Sequence, residues 1–143
     1  MRVLETVVFT DKLGEVRAFY EKHFAFPIDA DNPTGFGILA FPEARIVFLD
    51  ASQAGGRVTQ GALVRIGLPF PELERARLLT EGVACSDLVV EDWGSYYKGP
   101  VRHFTITDPS GTRLQLFEDR YSRARQIIAI GDGTGTRDIR SGQ

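Results

Sequence analysis

One succession of patterns occurs twice along this chain: a strand, a helix, then extended runs. Residues 3–10 are rich in β-branched and aromatic side chains and predict a strand. Asp11 is placed to cap the helix that follows, in which Leu13, Val16, Phe19, Tyr20 and Phe24 recur at helical spacing until Pro27 ends it. Runs 36–41 and 45–50, joined by Pro42-Glu43-Ala44, read as a hairpin. A polar stretch, 51–59, contains Gly55-Gly56 and has the composition of a linker. The order then returns. Residues 62–68 predict a strand. Pro71 suits the first turn of a helix, with Glu72 and Glu74 at its positive end and Leu73, Ala76 and Leu79 on its buried face. Gly82 stands where a left-handed C-terminal residue belongs. Runs 85–90, 101–107 and 112–117 follow, the last two joined by Asp108-Pro109-Ser110-Gly111, a strong turn sequence. Two βαβββ modules, about sixty residues apart, therefore predict an α+β fold, although residue identity between the halves is weak.

Composition narrows the function classes. The 143 residues are 43% hydrophobic and 25% charged, the profile of one ordinary globular domain. The net charge of -2 gives no electrostatic case for a nucleic-acid partner. The single cysteine, Cys85, excludes an internal disulfide and reads as an inert strand residue. No apolar run approaches the roughly 20 residues of a membrane span, and no basic-then-apolar leader precedes the first strand, so a cytoplasmic protein without membrane partners is expected. Residues 1–118 carry 12 basic and 16 acidic side chains, whereas 119–143 carry five arginines and three aspartates. That tail holds one apolar patch, 126–130, and is expected to pack on the body or on a second copy of the chain. Its Gly131-Asp132-Gly133-Thr134-Gly135 run is not a nucleotide loop, because no strand–turn–helix pattern surrounds it.

Two stretches carry a resemblance. The helix ending Phe19-Tyr20-Glu21-Lys22-His23-Phe24-Ala25-Phe26 resembles the "FYxxxLGF" run of the vicinal oxygen chelate superfamily, and Asp108-Pro109-Ser110-Gly111-Thr112-Arg113-Leu114-Gln115-Leu116 resembles its "DPDGNxxEL" hairpin. This superfamily includes glyoxalase I, extradiol dioxygenases, fosfomycin-resistance enzymes and bleomycin-binding proteins. The resemblance covers residues 3–118, with module one at about 1–50 and module two at about 59–118. It implies a curved mixed sheet around a central trough, with residues 119–143 as a tail. In metal-using members a divalent ion sits in that trough. The resemblance places the ligand positions at Glu5, Leu63 and Gln115. Glu5 is a hard oxygen donor, but Leu63 is no donor, nor is its neighbour Ala62. Gln115 lacks the charge that balances a dication. The usual metal triad is therefore expected to be dismantled, and no cofactor is expected.

Strand alternation then assigns the trough lining. With Glu5 and Gln115 facing inward, Val7, Phe9, Leu63, Arg65, Arg113 and Phe117 do so too, and the family pattern adds His103 and Thr105. Apolar walls with a few polar groups are the makeup of a small-molecule site. Glu5 and Arg65 are expected to lie close enough to neutralise each other. Arg113 either reaches solvent or grips an anionic ligand group through its planar fork. His103 is either structural or an acid–base residue with a suitable intrinsic pKa. His23 is expected only to pack. The loop 92–100 carries Trp93, Tyr96 and Tyr97, which resemble a lid over aromatic ligands or else pack at a dimer interface.

The leading expectation is a metal-independent small-molecule-binding protein of the glyoxalase/bleomycin-resistance fold. It would be a homodimer acting in sequestration, resistance or sensing on an aromatic or anionic ligand. The alternative is an isomerase, lyase or oxygenase. It would use one divalent metal ion held by Glu5, His103 and Gln115, or Glu5 or His103 as a metal-free general base. A partner-binding module presenting the aromatic loop and the tail is the third.

Overall fold

The computed structural model describes residues 5–29, 34–40 and 44–120, and the tail and the Pro42-Glu43-Ala44 turn lie largely outside them. The described residues up to Leu63, together with Thr107–Arg113, form one compact unit. Those of Val64–Ile106, with Leu114 onward, form the other.

The first unit contains β1 (Glu5–Thr10), α1 (Leu13–His23), β2 (Ile28–Asp29), β3 (Gly35–Ala40) and β4 (Ala44–Asp50). Its sheet has the order β1-β4-β3-β2, with β1 parallel to β4 and the other pairs antiparallel. One face is apolar by alternation. Val8 pairs with Phe48, and Phe48 with Phe36, in a row across three strands. Helix α1 lays Val16 and Tyr20 among the buried side chains, and the Phe48 ring lies 5.2 Å from Phe36 and 5.4 Å from Tyr20. His23 is buried as well, edge-on to Phe19 at 5.0 Å.

The two recognised motifs meet in this unit. The Tyr20 hydroxyl donates to Asp108 Oδ2 at 2.7 Å. The other oxygen of Asp108 accepts from the Ser110 and Thr112 amides and the Ser110 hydroxyl, which fixes the turn. Burial, followed by the neighbouring Asp108 carboxylate, pushes the Tyr20 phenol far above its ordinary pKa. These residues thus hold the frame together.

In the second unit, β5 (Leu63–Leu68), α2 (Pro71–Thr80), β6 (Val89–Glu91), β7 (Val101–Thr107) and β8 (Arg113–Glu118) repeat the same strand order, β5-β8-β7-β6. The Arg113 amide donates to Ala62 O, and the Asp119 amide to Leu68 O. Both strands therefore advance together, so β5 runs parallel to β8 as β1 does to β4. Phe104, Ile106, Leu114 and Leu116 form the core with Leu78 of α2. Gly82, at φ +84°, takes the left-handed position after α2.

Several local expectations are corrected. Asp11 does not cap α1: the helix starts after Lys12, whose amide is taken by Thr10 Oγ1 at 3.0 Å. The buried side of α2 carries Pro71 and Leu78, while Leu73, Ala76 and Leu79 are exposed. It also makes polar contacts, Glu72 with Arg102 and Arg75 with the Ser86 carbonyl. Run 85–90 is a strand only at Val89–Glu91, because the Ser86 hydroxyl accepts the Thr105 amide in place of a ladder carbonyl. Stretch 51–59 is an ordered connection. It begins with a 3-10 turn capped by Asp50, and Thr59 is bonded to Phe9 through both its amide and its hydroxyl.

Candidate functional site

Alternation leaves each sheet one face away from its helix. In the first unit that face holds Glu5, Val7 and Phe9 of β1, and Arg45 and Val47 of β4. Glu5 and Val7 are exposed and Phe9 is half-buried. The partner of Glu5 here is Arg45, its register neighbour: Arg45 Nε donates to Glu5 Oε2 at 2.7 Å, and Nη1 donates to Asp29 Oδ2 at 3.1 Å. The Arg45 side chain reaches Asp29 across Gly37, where a β-carbon would stand 3.5 Å from Nη1. The expected neutralising pair of Glu5 with Arg65 is thus replaced by a pair within the first sheet. The parallel β1–β4 pairing sets it, since a carboxylate and a guanidinium face each other in register.

The second unit has a different arrangement on its corresponding face. Arg65 of β5, Gln115 and Phe117 of β8 and His103 of β7 share it, and the loop after β6 folds down upon them. Arg65 Nε donates to Gln115 Oε1 at 2.9 Å, and its Nη1 donates to the Tyr97 hydroxyl at 3.2 Å. The guanidinium carbon lies 3.8 Å from the centre of the Trp93 ring, a cation–π contact. Trp93 also packs on His103 at 4.7 Å, Tyr97 at 5.3 Å and Phe117 at 5.4 Å. Gly67 leaves room for this stack, because a β-carbon there would meet the Phe117 ring at 3.2 Å.

Two residues that sequence reasoning missed hold the loop at its ends. Glu91, the last residue of β6, accepts with Oε2 from the Trp93 indole N–H at 3.0 Å, and the same oxygen lies 2.8 Å from His103 Nε2. These bonds, the indole's first, hold the Glu91 carboxyl below the usual glutamate range. At the far end, Arg120 Nη1 donates to the carbonyls of Tyr97 and Lys98 at 3.0 and 2.9 Å, and Nη2 donates to that of Pro100. Between the anchors, Gly94 has φ 98° and ψ 174°, a backbone region open essentially to glycine alone. A glutamate at a strand end and an arginine in a polar tail carry no local signal of such roles.

The remaining candidates sit as follows. Tyr96 is 87% exposed, edge-on to Tyr97 at 5.3 Å. Leu63 and Arg113 are exposed, and Thr105 is half-buried. His103 is buried. Burial raises the Cys85 thiol pKa, and Arg75 partly opposes that shift. Among the described residues, no group of three His, Cys, Asp or Glu side chains gathers as a metal site would.

No family model and no curated protein matches this chain. Solved structures do. A glyoxalase/bleomycin resistance protein/dioxygenase superfamily member from Sphaerobacter thermophilus aligns at TM-score 0.68 and 15% identity, over 83% of this chain and 98% of that one. The chain has the vicinal oxygen chelate fold. Lactoylglutathione lyase from Agrobacterium tumefaciens is similar at TM-score 0.64 and 13% identity, over 84% of this chain and 95% of that one. TnmS3, an antibiotic-binding protein from a Streptomyces species, is similar at TM-score 0.60 and 21% identity, over 82% and 95%. At these identities the likeness is one of fold. The vicinal oxygen chelate fold hosts both binding and catalysis, so function rests on the side chains just described. No helix among the described residues is long and apolar enough to cross a membrane.

Proposed function

We propose that this chain is a small-molecule-binding protein of the vicinal oxygen chelate fold with a metal-independent site, acting in sequestration, resistance or sensing. The observation that carries the reading is the occupation of both oxygen donors at the expected ligand positions. Glu5 accepts from Arg45, and Gln115 accepts from Arg65. A dication at either oxygen would stand against a guanidinium, and Leu63 contributes no donor. This donor set does not fit a divalent ion. The antibiotic-binding protein among the similar structures supports the same class.

The ligand-facing surface in this reading is that of the second unit, with Arg65, Gln115 and Phe117 beneath Trp93 and Tyr97. A flat ring suits the aromatic side chains. An anionic group suits Arg65, which spends Nε and Nη1 on Gln115 and Tyr97 and retains further N–H donors. Elemental analysis of protein purified without chelator or nickel resin tests the metal-independent part. Far less than one equivalent of manganese, iron, nickel or zinc per chain is expected. One tightly held equivalent would overturn it.

A further inference from the structure

His103 is 6% exposed, and its two ring nitrogens differ sharply. Nε2 lies 2.8 Å from Glu91 Oε2, whereas Nδ1 is buried with no hydrogen-bond partner. An ionised carboxylate only accepts, so a proton on Nε2 faces Glu91, and in the imidazole form Nδ1 then presents a lone pair. Leaving a buried acceptor unpaired is costly, and native structures do so at few positions. The ring that carries it lies 4.7 Å from the Trp93 indole, which stacks on Arg65.

We propose that His103 Nδ1 is the atom by which this face reads its ligand, accepting a hydrogen bond from a hydroxyl on a flat aromatic ring. This deepens the binding reading above and rests on it. Trp93 marks the shape of the guest. Its bicyclic ring packs on the Arg65 guanidinium, His103 and Phe117 at once. A bicyclic aromatic ligand that displaces the indole inherits those surfaces. Its hydroxyl then reaches the ring nitrogen that the protein leaves unpaired. Glu91 is the positioning residue: one oxygen fixes the tautomer of His103 and holds the closed place of Trp93. A site built around a hydroxyl discriminates strongly against an analogue that lacks one, because the buried acceptor stays unpaired.

The test is a matched pair of probes, 2-naphthol and 2-methoxynaphthalene, titrated calorimetrically into the full chain. The wild-type protein is expected to bind the naphthol at least about tenfold more tightly. His103→Gln places an amide nitrogen where Nε2 meets Glu91 and nothing at Nδ1. It should bind both probes alike, at the affinity of the methoxy compound. His103→Asn, whose amide falls near Nδ1, should keep part of the preference. Equal affinities for the wild type, or an undiminished preference in His103→Gln, overturn the proposal and leave the binding reading standing. Binding of neither probe overturns the proposal alone, since the binding reading also admits an anionic ligand on Arg65. A readout independent of variant folding is the nitrogen-15 spectrum of wild-type His103, one of only two histidines. Its Nδ1 resonance should move several-fold further with naphthol than with the methoxy compound, and equal movement with both, or none with either, contradicts the assignment.

Discussion

The two units share one strand order and one parallel pairing, yet they treat their equivalent faces in opposite ways. The first lays charge on its face: one guanidinium, Arg45, bridges two carboxylates, Glu5 and Asp29, all three half-exposed. The second covers its face with aromatic rings, anchored by Glu91 at one end and Arg120 at the other. The lesson is that a repeated backbone leaves its faces free to diverge. A half-exposed ion pair is worth little beyond its own neutralisation. The second unit's rings instead stack over a guanidinium and a buried imidazole, and the proposed ligand would bind there.

Stripping the lid should show the largest contrast. Trp93→Ala removes a half-buried indole and is expected to cost about 2 kcal/mol in chemical denaturation. Arg45→Met, on the other face, should leave the midpoint nearly unchanged. Equal losses would erase the distinction between the faces. A smaller effect is expected from Arg120→Ala, which frees three carbonyls of the loop. Amide exchange should accelerate across residues 93–100 while the core strands β7 and β8 keep their protection.

The smallest effect is a pH dependence. The Glu91 carboxyl is held below its ordinary range in the folded chain. Its contribution is therefore complete above the unfolded pKa of a glutamate and is lost as pH falls through the lower folded value. Emission of Trp93, the single tryptophan, should change in that acid window, below the usual glutamate range. Glu91→Gln should abolish this transition, and a transition that survives the substitution would assign it elsewhere.

Much of the frame was legible from the residues. The β-branched and aromatic residues before Asp11, Pro71 at a helix start and the Asp-Pro-Ser-Gly turn each act through local geometry, and the structure places a strand at Glu5–Thr10, a helix from Pro71 and a turn between β7 and β8. Pairings that depend on strand order were not legible in the same way. Tyr20 and Asp108 were recognised as separate motifs, but their bond spans 88 residues and needs the folded unit to form. Glu5 was matched with Arg65 because both were assigned to one lining, whereas the parallel β1–β4 register brings Arg45 beside it. The aromatic loop announced itself by composition. Its anchors did not, because Glu91 and Arg120 are ordinary polar residues until the loop folds back. Helix α2 misled for a related reason: its short buried side is partly polar, so hydrophobic spacing selected Leu73 and Leu79 where Leu78 is the core residue.

The central claim is that the second unit's face binds ligand without a metal ion. It is tested most directly by calorimetric titration of 2-naphthoate, a flat anion, into protein dialysed against a chelator and into the same protein resupplied with manganese. One affinity in both preparations, lost in Arg65→Leu, is the predicted result. Binding that appears only after the ion is restored, or that Arg65→Leu leaves unchanged, would contradict it.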